Sequence, residues 1–387
     1  MMAAPRIIAI LGLLGLMGSL LVGCTPAAPT TALPTLMATA VFPTPTAVLP
    51  VGVLPGTYTP APPPTSAPIA TIWPTTTPPP TAKPGASPDA TPGASPDATP
   101  IVNPFAGLTI DELTARPYGG SPLQIVESLG ELPGFNRSLI SYVSDGLTVY
   151  GFMNTPPGTG PLPVVIVLHG YVDPAEYQVL AYTTPYADAF AKAGYLVIHP
   201  NYRSYPPSDS GPNLFRVGYA IDTLNLIAAI KQQAGQPGPL ARADANAIYL
   251  FGHSMGGGIA LRVLTVSQDV RAAALYGSMS GDERRNFARI WEWSGGADGR
   301  IELDTADELV WQISPANYLE RIQTPISLHH GLDDGVVPSI WSDQLCEALR
   351  ALGKTVECLH YPGQLHNFDS AAQQRLLRNV RDFFGRN

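Results

Sequence analysis

Residues 247–258, AIYLFGHSMGGG, constrain the fold of this chain more than any other stretch. They open with a short apolar run of the length and bulk of a buried parallel strand. The run ends in GHSMG, residues 252–256, and a helical pattern continues over residues 257–266. A G-x-S-x-G motif between a strand and a helix makes a tight turn that holds the serine in a strained conformation with its hydroxyl projecting. This context predicts that Ser254 is a nucleophile; the alternative is a glycine-rich turn with an incidental serine.

Apolar strand patterns alternate with amphipathic helix patterns around this motif. Strands are predicted at residues 163–168, 195–199, 247–251, 270–276, 326–330 and 355–360, and helices at 182–193, 215–233, 257–266, 339–352 and 370–384. This alternation predicts an α/β fold with a mostly parallel, doubly wound sheet, whose sites lie at the carboxyl ends of the strands. Residues 138–154 alternate around Asp145-Gly146, which predicts an antiparallel edge hairpin. Residues 105–135 are weakly patterned, and we expect an arm with one helix there.

Residues 278–322 interrupt the alternation of strands and helices. They are rich in charged and aromatic residues and contain two helical patterns, at 282–293 and 304–313. Long ordered insertions beside active sites are often lids, so we interpret this segment as a helical cap insertion. The alternative is a long surface excursion with no role in substrate choice.

A serine nucleophile needs a base, and the base needs an orienting acid. Three of the seven histidines precede Ser254, two end a strand, and His360 lies inside the last strand. His366 follows that strand in a loop, where a base can reach the serine. The loop after the preceding strand offers two carboxylates, Asp333 and Asp334, either of which can accept from the imidazole; Asp282 and Glu283 are weaker candidates.

An oxyanion hole needs two hydrogen-bond donors. The backbone N–H of Met255, the first residue of the helix after the motif, is one candidate. The other is expected from the loop after residues 163–168, where His169-Gly170-Tyr171 brings the backbone close, and we predict the N–H of Tyr171. The alternative for this loop is a plain turn at a strand end.

The N-terminal residues have the pattern of a targeting segment followed by a linker. Residues 1–24 carry Arg6, an apolar core and then LVGC, which resembles a bacterial lipobox ending at Cys24. We predict a lipoprotein signal peptide, with lipidated Cys24 anchoring an extracytoplasmic protein to the cell envelope membrane; an ordinary signal peptide or a transmembrane anchor is the alternative. Residues 25–104 are rich in Pro, Thr and Ala and predict a disordered linker. Residues 105–387 are long enough for one catalytic domain.

Charge, metal-site spacing and cysteine usage narrow the class of protein. The net charge of −8 argues against a nucleic-acid partner. Adjacent His329 and His330 point to opposite faces of a strand, and no H-E-x-x-H, cysteine-pair or phosphate-loop spacing occurs, so we predict no metal and no cofactor. Outside the cytoplasm, Cys346 and Cys358 could form a disulfide; two buried thiols are the alternative.

Several segments together resemble the α/β-hydrolase superfamily, and within it the prolyl oligopeptidase-like (S9) and dienelactone hydrolase-like branch. The matching segments are YVSDGLTVYGFMNTP at 142–156, LHGY at 168–171, GYLVIHPNYR at 194–203, GHSMGG at 252–257, SPANYLERIQTPISLHHGLDDGVVP at 314–338 and YPGQLHNF at 361–368. The family pattern HG-x-x-D-x-x-VP places the triad aspartate at Asp334. The string GHSMGGG is also similar to that of bacterial cutinases and polyester hydrolases.

The resemblance implies a serine hydrolase that acts on small-molecule esters or peptides through an acyl-enzyme with a Ser-His-Asp triad. Two departures weaken a peptidase specificity: a linker stands where S9 peptidases carry a propeller domain, and the family turn R-G-x-G-x-S reads RSYPPS at 203–208. We therefore expect a carboxylester hydrolase first, an S9-like peptidase second, and a non-catalytic surface binding protein third.

Overall fold

A computed structural model describes residues 105–387 of this 387-residue chain. The predicted signal peptide at 1–24, with the lipidation site Cys24, and the predicted linker at 25–104 lie outside the described residues.

Nine strands form one mixed sheet in the order β1-β2-β3-β5-β4-β6-β7-β8-β9. The strands are β1 Gln124–Leu132, β2 Phe135–Ser144, β3 Leu147–Thr155, β4 Leu162–Leu168, β5 Leu196–Pro200, β6 Ala243–His253, β7 Ala272–Tyr276, β8 Ile326–Gly331 and β9 Val356–Tyr361. The pairs β1–β2, β2–β3 and β3–β5 are antiparallel, and the other five pairs are parallel. The predicted fold class, a mostly parallel sheet with an antiparallel edge, is confirmed.

Helices cover both faces of the sheet, as a doubly wound fold requires. They are α1 Ile110–Ala115, α2 Thr184–Lys192, α3 Val217–Gln233, α4 Met255–Val266, α5 Glu283–Trp293, α6 Arg300–Leu303, α7 Asp307–Ile313, α8 Ile340–Ala351 and α9 Ser370–Arg386. Helices α3, α4 and α8 pack on one face of the sheet, and α2 and α9 pack on the other. None of the helices in residues 105–387 has the length and apolarity needed to cross a membrane.

Strand β4 shows why the central strands are apolar throughout. Its residues alternate between the two faces, as strand geometry dictates. Val164, Ile166 and Leu168 enter the core under α3, α4 and α8, whereas Val165 and Val167 enter the core under α2 and α9. Because both faces are covered, each position from Val164 to Leu168 is buried and apolar.

The N-terminal arm departs from the sequence-based expectation. Besides the expected helix, which is α1 with a capping box from Thr109 to Glu112, the arm contributes the edge strand β1. Most of β1 is exposed, and its pairing with β2 is interrupted by register shifts. A strand that is exposed along most of its length leaves no regular apolar alternation in the sequence, which is why the pattern missed it.

Residues 278–322 contain the short helices α5, α6 and α7 between β7 and β8. A buried ion pair joins this segment to α4, because Arg262 Nη2 lies 2.5 Å from Glu283 Oε1. Another nitrogen of the same guanidinium, Nη1, donates to the carbonyl of Ile313 at the end of α7. The segment is therefore held against the helix that begins directly after Ser254.

Cys346 in α8 and Cys358 in β9 are joined by a disulfide. The bond links the last parallel strand to the helix that precedes it.

Candidate active site

Ser254 occupies the turn between β6 and α4 with φ 57° and ψ −118°. A non-glycine residue at positive φ is strained, and such strain is concentrated at functional sites. The flanking glycines make the turn possible: a Cβ on Gly252 would lie 2.5 Å from the carbonyl oxygen of Gly256, and one on Gly256 would lie 2.1 Å from that of Leu168. The Ser254 N–H donates to the carbonyl of Tyr276 at the end of β7, which fixes the turn against the sheet.

His366 and Asp334 meet at the carboxyl ends of β9 and β8. His366 Nδ1 donates to Asp334 Oδ2 over 2.7 Å, and Oδ1 accepts the N–H groups of Val336 and Val337. Burial by itself would raise the pKa of Asp334, but hydrogen bonds from His330 and His366 hold that pKa well below its ordinary value. Asp333, the other candidate acid, is exposed. The carboxylate that orients the imidazole is therefore that of Asp334.

Ser254 and the His366 ring both lie against the end of β7. Gly277, at φ 51°, follows Tyr276, and a Cβ there would lie 3.2 Å from His366 Nδ1. No hydrogen bond joins the Ser254 hydroxyl to the His366 ring in the part of the chain that the structure describes. Such bonds are often long until substrate binds. The structure thus aligns His366 with Asp334. The role of the three residues as a catalytic triad remains a prediction.

The loop after β4 lies against the nucleophile, as the oxyanion-hole prediction requires. A Cβ on Gly170 would lie 3.0 Å from the Ser254 Cβ. Met255 is the first residue of α4, so its N–H has no partner within the helix. Tyr171 and Met255 line the same cavity. Their roles as oxyanion donors remain predictions.

Sequence reasoning missed a pair of side chains that join the nucleophile turn to the His366 loop. Within the motif, His253 Nδ1 lies 2.7 Å from the Tyr182 hydroxyl, and His253 Nε2 donates to the carbonyl of His366 over 3.2 Å. The His253 ring packs 4.8 Å from the His366 ring. The position of His253 beside Ser254 is a signal that could have found it, whereas Tyr182 carries no motif.

A second histidine supports the carboxylate. His330 Nε2 lies 3.2 Å from Asp334 Oδ2 and 3.0 Å from the carbonyl oxygen of Val337. Its Nδ1 lies 2.6 Å from the hydroxyl oxygen of Ser342, which can donate to it. The carboxylate therefore faces two imidazoles, those of His366 and His330.

Burial keeps several histidines of the domain neutral. It lowers the pKa of His169 to about 4 and those of His253 and His329 to about 3, and it places the pKa of His199 well below its ordinary value. In His253 and His199, a neighbouring histidine adds to the effect of burial. These side chains serve the packing and hydrogen bonding around the site as neutral imidazoles.

A cavity of about 680 Å³ opens between the start of helix α4, which directly follows Ser254, and the segment 278–322. Apolar and aromatic side chains dominate its wall, and the charged groups are Arg216, Asp298, Arg300 and Glu302. Its lining residues are Tyr171, Asn213, Arg216, Met255, Met279, Phe287, Ile290, Trp293, Ser294, Ala297, Asp298, Gly299, Arg300, Ile301 and Glu302. Its size suits a small ligand. Across residues 105–387, no group of three His, Cys, Asp or Glu side chains could hold a metal ion.

Comparisons with known proteins agree on the fold and the enzyme class. The model of the prolyl oligopeptidase family matches residues 229–387. The chain is 26% identical over 250 residues to the uncharacterized peptidase YtmA of Bacillus subtilis, covering 62% of this chain and 90% of that protein. It is 29% identical over 229 residues to esterase YjfP of Escherichia coli, covering 55% of this chain and 85% of that protein.

Solved structures show the same fold. Acetyl xylan esterase 1 from Thermoanaerobacterium sp. superposes with a TM-score of 0.51 at 16% identity, covering 67% of this chain and 88% of that chain. The chain therefore has the α/β-hydrolase fold, as predicted. The family match and the two relatives support the prediction that it is a hydrolase.

Proposed function

We propose that this protein is a serine hydrolase that cleaves carboxylic esters through an acyl-enzyme formed on Ser254. The observation that supports the proposal is the strained turn at Ser254, which is bonded to the end of β7, together with the hydrogen-bonded pair of His366 and Asp334 against the same strand end. A nucleophile, a base and an orienting acid in this arrangement are the parts that acyl transfer requires.

The proposed reaction has two steps. His366 Nε2 takes the proton of the Ser254 hydroxyl as its oxygen attacks the acyl carbonyl, and the N–H groups of Met255 and Tyr171 stabilise the oxyanion. When the tetrahedral intermediate collapses, the bond to the leaving group breaks and the leaving group takes the proton from His366. Water, activated by the same base, then releases the acid and restores Ser254. Asp334 stabilises the imidazolium throughout.

Covalent labelling tests the nucleophile. The full-length chain should react with a fluorophosphonate probe, and Ser254→Ala should not, because the serine oxygen forms the bond to phosphorus. Ser278→Ala, which removes a buried hydroxyl beside Gly257, is the matched control and should still label. Labelling that persists in Ser254→Ala would refute the proposal.

An S9-like peptidase is the second candidate, and the match to the prolyl oligopeptidase family model favours it. The two are separated by kcat/KM for a p-nitrophenyl ester beside a chromogenic peptide amide. Serine peptidases also cleave activated esters, so amide turnover decides. Ester cleavage with a silent amide supports the esterase, whereas comparable amide cleavage would make the protein a peptidase.

We also propose that the enzyme is an extracytoplasmic lipoprotein anchored through Cys24. The support is the lipobox-like LVGC at residues 21–24. In bacteria fed an alkyne-tagged fatty acid, the chain should carry the tag and fractionate with the membrane. Cys24→Ser should lose the tag, and a tagged Cys24→Ser variant would refute the anchor site.

A further inference from the structure

The loop between β8 and α8 carries the buried Asp334 and, directly after it, an exposed tip formed by Gly335 and Val336. Gly335 has no side chain, and among residues 105–387 a Cβ there would meet no atom within 4 Å. The Val336 side chain is exposed. Side-chain packing therefore contributes little to the position of this tip, and its backbone hydrogen bonds matter correspondingly more.

Two peptide groups of the tip, between residues 335 and 336 and between 336 and 337, are hydrogen-bonded at both ends. Their N–H groups, which belong to Val336 and Val337, donate to Asp334 Oδ1 over 2.8 and 2.9 Å. Their carbonyl groups accept from Arg289 of helix α5. Arg289 Nη2 donates to the oxygen of Gly335 over 2.6 Å, and Nε donates to that of Val336 over 3.1 Å. Each peptide group thus lies in series between a guanidinium and the Asp334 carboxylate.

Charges of opposite sign at the two ends of a peptide group strengthen both of its hydrogen bonds. The guanidinium of Arg289 draws electron density toward the carbonyl oxygen, so the N–H becomes a stronger donor to the Asp334 carboxylate. Hydrogen bonds to charged groups are about twice as strong as those between neutral groups. Nε and Nη2 are parallel donors of one planar fork, and they bind two carbonyls in a geometry that the single ammonium of lysine does not reproduce.

Other residues of α5 hold the Arg289 side chain in place. Arg289 Nη1 donates to Glu292 Oε2 over 2.8 Å, and the guanidinium lies over the Trp293 ring at 5.4 Å. The arginine side chain is 26% exposed, so its charge keeps part of its hydration. Trp293 also lines the cavity, as do Phe287 and Ile290. Helix α5 therefore forms part of the cavity wall and, through Arg289, holds the loop of the catalytic acid.

We infer that Arg289 is a positioning residue for catalysis at Ser254. Through the two peptide groups it fixes Asp334 Oδ1, so that Oδ2 points at His366 Nδ1 over 2.7 Å. Without Arg289, the bonds to Oδ1 within the loop itself would remain, and the tip and the carboxylate could turn together away from the imidazole. His330 contacts Oδ2, whereas Arg289 acts on the other carboxylate oxygen. This inference rests on the proposed function.

The first measurement is kcat and KM of the full-length chain for p-nitrophenyl acetate, whose acetyl group is too small to fill the cavity. Arg289→Met should lower kcat by about tenfold to a hundredfold, the effect of charge-assisted hydrogen bonds. KM should stay nearly unchanged, because Arg289 contacts the acid loop. Arg289→Lys, which keeps the charge without the fork, should give an intermediate kcat.

Arg285→Met is the matched control. Arg285 ties the same helix to α8 instead, because its Nη1 donates to Gln344 Oε1 over 2.7 Å and its guanidinium lies over the Trp341 ring at 5.7 Å. Arg285→Met should leave kcat within about twofold of the wild type. Equal kcat values for Arg289→Met and Arg285→Met, or a loss confined to KM, would overturn the inference.

A double-mutant cycle identifies the route of the effect. In the background of Asp334→Asn, Arg289→Met should lower kcat by no more than about twofold, because the carboxylate through which Arg289 acts on His366 is gone. If Arg289→Met lowers kcat by the same factor in both backgrounds, it acts by another route, and the inference is wrong.

A spectroscopic measurement separates this inference from the proposed function. In Ser254→Ala, the proton between His366 Nδ1 and Asp334 should give a low-field ¹H NMR signal, which His366→Gln should lack. Adding Arg289→Met should shift this signal upfield or broaden it by exchange with water, and adding Arg285→Met should leave it in place. A missing signal in Ser254→Ala, or an unchanged one with Arg289→Met, would overturn the inference.

The two proposals fail in different ways. Absence of any Ser254-dependent ester or amide cleavage by the wild type would refute the proposed function, and the NMR signal would still decide the inference. If Arg289→Met does not fold, Arg289→Lys takes its place in both measurements with a smaller effect. An Arg289→Lys variant that matches the wild type in kcat and in the NMR signal would then overturn the inference.

Discussion

Asp334→Asn changes one atom of the carboxylate that orients His366. Oδ1 remains an oxygen and can still accept the N–H groups of Val336 and Val337, at 2.8 and 2.9 Å, so the loop keeps its conformation. The new amide group replaces Oδ2, which accepts from His366 Nδ1 over 2.7 Å. An NH₂ group can only donate, so it favours the tautomer in which Nδ1 accepts and Nε2 carries the proton.

That tautomer cannot take a proton from Ser254. We expect kcat to fall by about 10⁴-fold, the scale of a triad whose histidine holds the wrong tautomer. Loss of the charge also weakens the hydrogen bond to His366 and the contact with His330, so the free energy of unfolding should fall by about 1–3 kcal/mol. Because the folded-state pKa of Asp334 is depressed, its charge stabilises the fold above the ordinary pKa of 3.8, and this contribution is lost as the pH falls further.

The assays are ester hydrolysis and urea unfolding at neutral pH and at acid pH. Asp333→Asn is the matched control, since Asp333 is the exposed neighbour in the same loop and should leave kcat within about twofold of the wild type. The difference in stability between Asp334→Asn and the wild type should narrow below pH 3.8. A kcat for Asp334→Asn within tenfold of the wild type would refute the role that we give to this carboxylate.

Three further predictions concern the scaffold of the site. Gly256→Ala should prevent folding or abolish activity, because the new Cβ would lie 2.1 Å from the carbonyl oxygen of Leu168. Gly258→Ala should be tolerated, because its Cβ would lie 3.4 Å from the nearest atom, the Cβ of Met279. Expression, Tm and kcat are measured for both variants. Glu283→Ala leaves the buried charge of Arg262 without its partner and should lower the free energy of unfolding, measured in urea, by about 3–5 kcal/mol. Replacing both residues by apolar ones should recover part of this loss. Burial depresses the pKa values of His169, His199, His253 and His329 below their ordinary value of 6.5. At a pH below 6.5 but above the folded-state pKa, these histidines bind protons only in the unfolded chain. As the pH falls from 7.5 to 5.5, each of these histidines should lower the free energy of unfolding by up to ~1.4 kcal/mol. A free energy of unfolding that does not change over this pH range would contradict the prediction.

Much of the candidate site follows from local sequence. The nucleophile turn is set partly by a local steric demand, since a side chain on Gly252 would meet the backbone of Gly256, whereas one on Gly256 would meet the carbonyl of Leu168 at the end of β4. Strand and helix periodicity places the loop of His366 at the edge of the sheet that also holds Ser254. The choice between Asp333 and Asp334 is different: periodicity leaves it open, and it is made by the loop conformation that turns one carboxylate toward the imidazole and the other to solvent.

By itself, the sequence determined the α/β architecture and the position of Ser254, because burial on both faces of a strand and a tight turn leave marks within a few neighbouring residues. Only the tertiary structure decided which distant groups meet. It joined His253 to Tyr182 and, among the described residues, left a buried guanidinium nitrogen of Arg216 without a hydrogen-bond partner. The physical reason is that ion pairs and hydrogen bonds across tens of residues depend on loop conformations and on the packing of helices, which no local pattern of apolar and polar residues specifies.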